Sequence, residues 1–473
     1  MICSRDNSAP ITVALVSHSP YLAGAERMLL NLARLLRRTP SVEPILLIPG
    51  YDELSEAAAK EGLLFDLIAG GAWYLWAEQD LPGYKRKTLE AAESVKRAVV
   101  DWNADCLVIN TLTNIAPAIA AVELDLPSLA WVHGILDSYL LPDRSSEICT
   151  VHDQMLLQVA REVVACSPGT SRFFEDMLGC GKLHVIENWT PIDPAWKASP
   201  QKYRSRRFAC LNTMEPHKGY GPLLEAAAIL KQRGVSFQLD IYGDGPLREA
   251  LRDRIAATGL RAHVFLHGRT TEVTEVYDRS LCLINPSYVE PFGMTLIEAM
   301  ARGTPVIATK SGGPCGIVVH GKNGFLLNRG DAIGLADRMQ QLLGSAELAR
   351  FLGENAYRTA QERYSEDAAR GPFVRLIRET VARFSDYDLS TKTLIQLYRL
   401  FLRTESVSPR DIAAGGERGS LRRAVKRRIP APLRKPLGRF RALGNHLAKA
   451  SACRFRSAQF WKWWHAPGAA AKE

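Results

Sequence analysis

The sequence predicts an α/β protein of two doubly wound parallel-sheet domains facing across a cleft, with a basic extension at the C-terminal end. Three observations carry this expectation. Short runs rich in Val, Ile and Leu alternate with helical patterns along most of the chain, the alternation breaks once near the middle, and positive charge collects at the end.

In the first half the apolar runs fall at residues 11–17, 44–48, 106–109, 128–132, 163–166 and 183–187. Runs without a polar alternation suit strands buried on both faces, so they predict a parallel sheet covered by helices. The helix after the first run shows its inner side: Met28, Leu29, Leu32, Leu35 and Leu36 recur at helical spacing, and Arg34, Arg37 and Arg38 fall off that stripe. From Trp189 to Arg206 the pattern stops and Pro191, Pro194 and Pro200 appear among polar residues. This marks residues 1–190 as a first domain and 191–206 as a linker. The alternation restarts with runs at 207–211, 237–242, 263–267, 281–285 and 305–309, and helical sequence from Asp331 to Phe384 closes a second domain at 207–384. Ligands of open α/β sheets sit at the carboxyl ends of the strands, so the active site is expected between the domains. Residues 385–473 form the tail.

Composition bounds the possibilities. A chain of 473 residues with 47% hydrophobic residues holds enough apolar material for two cores. The net charge of +10 is uneven, because residues 385–473 carry +13 and residues 1–384 carry −3. A partner drawn by charge is therefore expected at the tail and not at the two-domain body. No stretch of signal-peptide or membrane-spanning length is apparent, and nine cysteines at irregular spacing give no disulfide or zinc framework. A cytoplasmic protein with reduced thiols, mostly buried like Cys106 and Cys282, is the expectation.

The richest stretch runs Tyr288-Val289-Glu290-Pro291-Phe292-Gly293-Met294-Thr295-Leu296-Ile297-Glu298, followed by Gly303-Thr304-Pro305-Val306-Ile307. Gly293 lets the chain approach a ligand closely, and the N–H groups of a helix starting there suit a diphosphate. Glu298, inside that helix, is placed to accept from a ribose diol, and Glu290, before it, to hold sugar hydroxyls. Solvated glutamates flanking an amphipathic helix are the bland reading of such a pair, and the surrounding string argues against it.

From Ile11 to about Tyr364 the sequence resembles the family-4 retaining glycosyltransferases, through this paired-glutamate motif above all. The resemblance implies the GT-B fold, two Rossmann-like domains, and the transfer of a hexose-type sugar from a nucleoside-diphosphate sugar to an acceptor hydroxyl. It implies that Glu290 contacts the donor sugar and Glu298 the ribose, with Phe292, Gly293, Met294 and Thr295 beside them. Lys218, in Glu215-Pro216-His217-Lys218-Gly219, matches the family's Lys-Gly signature and is placed to neutralise the leaving diphosphate. The family's usual arginine five positions earlier is Thr213 here, so half of the diphosphate clamp lacks its charge. Ala23-Gly24-Ala25-Glu26 resembles a Gly-Gly-x-Glu loop with the first glycine replaced, leaving Gly24 to approach the diphosphate. His133 corresponds to a family histidine near the transferred sugar, and Gly312-Gly313 to a glycine pair lining the donor cleft. His133, Lys218 and Glu290 are thus the expected catalytic residues. No Asp-x-Asp pair follows a strand, so no metal and no cofactor beyond the sugar nucleotide is expected.

Between Arg418 and Lys472 fifteen Lys or Arg residues occur without Asp or Glu, interleaved with Leu421, Leu433, Leu437, Phe440 and the cluster Phe460-Trp461-Lys462-Trp463-Trp464. Cationic segments with interfacial tryptophans favour an anionic membrane surface, so peripheral attachment to the inner face of the cytoplasmic membrane is expected. Nucleic acid fits less well, since no binding-domain pattern accompanies the charge. Trp73-Tyr74-Leu75-Trp76 is a further candidate for membrane or acceptor contact. The acceptor suggested is a glycan or lipid-linked glycan of a surface polysaccharide or glycolipid. Rival readings are an inactive GT-B binding subunit, supported by Thr213, and a GT-B phosphorylase or epimerase.

Overall fold

A computed structural model describes residues 10–71, 80–134, 155–178, 181–197, 199 and 201–403. The Trp73–Trp76 loop and the 418–472 segment lie outside the described residues. The chain forms two compact units. The first comprises residues 1–131, 135–163 and 377–473, and the second comprises 132–134 and 164–376.

The strands of the first sheet, in chain order, are β1 (Ile11–Val16), β2 (Val42–Ile48), β3 (Phe65–Leu67), β4 (Cys106–Asn110), β5 (Ser128–Val132), β6 (Glu162–Ala165) and β7 (Leu183–Val185). They lie in the order β3-β2-β1-β4-β5-β6-β7. The second sheet holds β8 (Arg207–Leu211), β9 (Gln238–Tyr242), β10 (Val264–Leu266), β11 (Cys282–Asn285), β12 (Val306–Thr309) and β13 (Gly324–Leu327), in the order β10-β9-β8-β11-β12-β13. β1 pairs in parallel with β2 and β4, and β8 in parallel with β9 and β11. Both sheets therefore start in the middle, wind outward one way and return to wind the other. The strand order reverses at β1/β4 and at β8/β11, and such switch points open a crevice at the strand ends.

The apolar runs become the central strands because both faces are covered: every residue of β4, β5, β11 and β12 is buried. The helix Gly24–Arg37 carries the predicted stripe, with Met28, Leu29, Leu32, Leu35 and Leu36 each fully buried. The sequence pattern did not reveal β3 and β13. They are edge strands of three and four residues.

Two intervals differ from a plain linker and a plain tail. Within 191–206, Lys202 and Tyr203 are buried, and Lys202 Nζ donates to the carbonyls of Tyr277 and Arg302 at 2.9 and 2.7 Å. Within 385–403, the helix Leu389–Arg403 buries Leu394, Ile395, Tyr398 and Leu402. It packs against the helices Leu81–Asp101 and Ala116–Glu123 of the first unit. Among the described residues, no helix is long and apolar enough to cross a membrane.

Candidate functional site

The site is built at the switch point of the second sheet. β8 leads through a loop to the short 3-10 turn Pro216–Lys218, and Gly219 then turns the chain into the helix Tyr220–Gln232. Gly219 has φ +73°, and a Cβ there would lie 2.0 Å from the Pro286 carbonyl oxygen. Only glycine fits both constraints. The loop after β11 comes back alongside, with Tyr288 N–H donating to the His217 carbonyl at 2.8 Å. The outcome is an ion pair, Lys218 Nζ to Glu290 Oε2 at 3.0 Å, between side chains 14% and 12% exposed. Asn285, buried at the end of β11, donates to the same oxygen at 3.4 Å.

Glu290 is fixed through its backbone as well. Its N–H donates to Ser311 O at 2.9 Å, and its carbonyl accepts from Gly313 N–H at 2.8 Å. This joins the loop after β11 to the loop after β12. A Cβ on Gly313 would lie 2.2 Å from Phe292 O, and one on Gly312 2.8 Å from Glu290 O. On its Cβ side the glycine pair is packed against the chain's own backbone. In the turn Tyr242-Gly243-Asp244-Gly245-Pro246 after β9, a Cβ on Gly243 would likewise lie 2.0 Å from Asn212 O.

Gly293 opens the helix Met294–Ala301 with φ +109°, and no side chain caps that end. Phe292 contributes backbone here. Its ring is buried edge-on to Tyr364, with centroids 5.9 Å apart. Met294 and Thr295 are half-buried at the helix start. Glu298 is half-buried further along, and its Oε2 accepts from the Tyr277 hydroxyl at 2.7 Å. Thr213 is exposed, and its carbonyl accepts from the Tyr220 hydroxyl at 3.2 Å.

In the first unit Gly24 begins the helix after β1, exposed, and a Cβ there would meet nothing within 4 Å. Asn110, at the end of β4, donates to Ala25 O at 3.2 Å and secures that turn. Glu26, 1% exposed, lies 3.1 Å from His18 Nε2. Burial pushes the Glu26 carboxyl up to about 7 and the His18 imidazole down to about 4, so each disfavours its charged form. His133 stands just past β5, half-buried.

The structure thus brings together Lys218, Glu290 and the Gly293 helix start, sets Glu298 on that helix, and places Gly24 at the head of the first helix. Asn285, Tyr277 and Lys202 join these residues without having been singled out by the motifs. A polar residue closing an apolar run was the available signal for Asn285. Nothing local marks Tyr277 or Lys202. A cation beside an uncapped helix start suits a diphosphate, and the two glutamates offer acceptors for hydroxyl groups.

Residues 193–359 match the family model described as "Glycosyl transferases group 1", and residues 22–193 match "Glycosyltransferase Family 4". The Bacillus subtilis protein EpsD is 33% identical over 221 residues, which are 45% of this chain and 56% of EpsD. The poly(ribitol-phosphate) alpha-N-acetylglucosaminyltransferase of Staphylococcus aureus is 28% identical over 188 residues, 39% of this chain and 37% of that protein. The matches thus span from about a third to just over half of these relatives' length. Among solved structures, Anabaena HepE in complex with UDP-glucose superposes with a TM-score of 0.66 at 20% identity, covering 78% of this chain and 100% of that one. That likeness shows the GT-B fold.

Proposed function

The chain belongs to the group 1, family-4 glycosyltransferases, and on that premise we propose that it transfers a sugar from a nucleoside-diphosphate sugar to an acceptor hydroxyl, with retention at the anomeric carbon and without a metal ion. The observation that carries this reading is the Lys218–Glu290 pair beside the Gly293 helix start.

As the bond to the leaving diphosphate breaks, negative charge grows on its oxygens. The Lys218 ammonium and the partial positive charge of the helix start oppose that charge, the task a divalent ion performs elsewhere. Glu290 holds the ammonium in place beforehand, so little reorganisation is needed during the reaction. In this reading Glu290 also accepts from hydroxyl groups of the transferred sugar, Glu298 accepts from the ribose diol, Gly24 approaches the diphosphate, and His133 lies near the transferred sugar. The UDP-glucose complex of HepE supports a sugar-nucleotide donor. The S. aureus relative, a poly(ribitol-phosphate) alpha-N-acetylglucosaminyltransferase, supports a polymeric acceptor, and a glycan or lipid-linked glycan of a surface polysaccharide is the acceptor class proposed. Residues 418–472 supply the membrane attachment in this reading. The rival of an inactive binding subunit rests on Thr213 alone, a residue that brings no charge to the site.

Thermal-shift binding of UDP, GDP, ADP and dTDP to the wild type and to Glu298→Ala tests the reading. One nucleotide should stabilise the wild type by several degrees, and Glu298→Ala should lose that effect. A wild type indifferent to all four would turn the assignment toward the inactive subunit.

A further inference from the structure

The helix Val273–Arg279 carries Tyr277, which is 1% exposed and held at both ends. Its hydroxyl donates to Glu298 Oε2 at 2.7 Å. Its carbonyl accepts from Lys202 Nζ at 2.9 Å and from Thr304 Oγ1 at 3.0 Å. Lys202 donates in addition to the carbonyl of Arg302 at 2.7 Å, and Arg302 is the C-cap residue of the helix that carries Glu298. Thr304, fully buried, follows two residues later.

Two side chains, Lys202 and Thr304, thus tie the end of one helix to the end of the other, and the hydroxyl closes the loop between them. Glu298 is half-buried, and a glutamate on a helix surface samples several rotamers when nothing holds it. A short charge-assisted bond from a buried phenol selects one of them. A phenylalanine would fill the same ring volume without a polar group to satisfy, so packing gives no reason for the hydroxyl.

We propose that Tyr277 is a positioning residue for Glu298: its hydroxyl sets the carboxylate that receives the nucleotide ribose, and Lys202 and Thr304 set the helix end from which it reaches. The proposal rests on the ribose role of Glu298 and deepens it. Tyr277 does not touch the donor and acts only through the glutamate.

The test measures affinity for UDP and for 2′,3′-dideoxy-UDP with wild type, Tyr277→Phe and Glu298→Ala, substituting the GDP or ADP pair where the wild type prefers that base. Tyr277→Phe should bind the ribonucleotide about tenfold more weakly and the dideoxy analogue unchanged, since a hydrogen bond to a charged group is worth about that factor. Unchanged binding of the analogue also reports an intact fold. Equal weakening of both ligands, weakening of neither, or a lost thermal transition in Tyr277→Phe would assign the hydroxyl a structural role and overturn the proposal. Glu298→Ala separates the two claims. A wild-type preference for the ribonucleotide that survives Glu298→Ala, or a wild type that binds no nucleotide, removes the ribose reading and the proposal with it.

Discussion

The surroundings of Lys202 move its titration into the neutral range. It is 5% exposed, and desolvation pulls its ammonium from the ordinary 10.5 down to about 7. Arg302 adds to the fall, while Asp278, 3.8 Å away, opposes it. Below pH 7 the native and unfolded chains both hold the proton, so the cost of burying the charge is fully present. Between pH 7 and 10.5 the unfolded chain keeps a proton that the native chain releases, so this residue's contribution to stability rises with pH. The slope approaches 1.4 kcal/mol per pH unit, to order of magnitude. Thermal midpoints of wild type and Lys202→Met, compared from pH 6.5 to pH 9, should therefore diverge, the wild type gaining relative to the variant as pH rises. Parallel curves would mean that Lys202 stays charged at its two carbonyls throughout. Its sequence neighbourhood of prolines and polar residues reads as linker, and only the fold reveals the burial.

At the scale of loops and helices, two glycines differ in what a Cβ would meet. Gly313→Ala drives a Cβ to 2.2 Å from Phe292 O and breaks the backbone bond that fixes Glu290, so it should lower both the thermal midpoint and the turnover. Gly24→Ala meets nothing within 4 Å and places alanine in a helix, so the midpoint should hold or rise. Its donor affinity should fall nonetheless, if the diphosphate approaches there. Differential scanning calorimetry with nucleotide titration checks the contrast, and an unimpaired Gly24→Ala removes that loop from the donor site. The same elements show what was legible. Central strands were readable because burial on both faces demands an unbroken apolar run, as in Cys106–Asn110 and Cys282–Asn285. Glu290, Gly293 and Glu298 were readable because one local string holds them. The partners of Glu290 and Glu298 arrive from other elements: Lys218 after the neighbouring strand, Tyr277 from the preceding helix. Lys218 was found only because its own turn has a signature. Gly312 and Gly313 were visible as glycines, but their occupant, the backbone of Glu290 and Phe292, is a tertiary fact.

At the scale of the whole molecule, the charge asymmetry makes the last segment separable, and the fold shows where the cut belongs. The +13 of residues 385–473 starts inside a packed region. Tyr398 and Tyr84 share a buried hydroxyl contact of 2.8 Å, Arg399 pairs with Glu93 and Glu123, and Lys392 lies 2.8 Å from Asp125. A chain ending at Phe384 loses these contacts together with the buried Leu394, Ile395 and Leu402. It should melt earlier, since each buried leucine or isoleucine side chain is worth about 1.5–3 kcal/mol. A chain ending at Arg403 keeps them and loses only the cationic, Trp-rich remainder, so its thermal midpoint should match the full chain. Co-sedimentation with phosphatidylglycerol vesicles then reads the tail cleanly. The full chain should bind, more weakly as salt is raised, and the chain ending at Arg403 should stay in the supernatant, because attraction to an anionic surface is screened within a Debye length. Equal binding by the two would place any membrane contact in the body of the protein, where residues 1–384 carry a net −3 and apolar surface would have to supply the attraction.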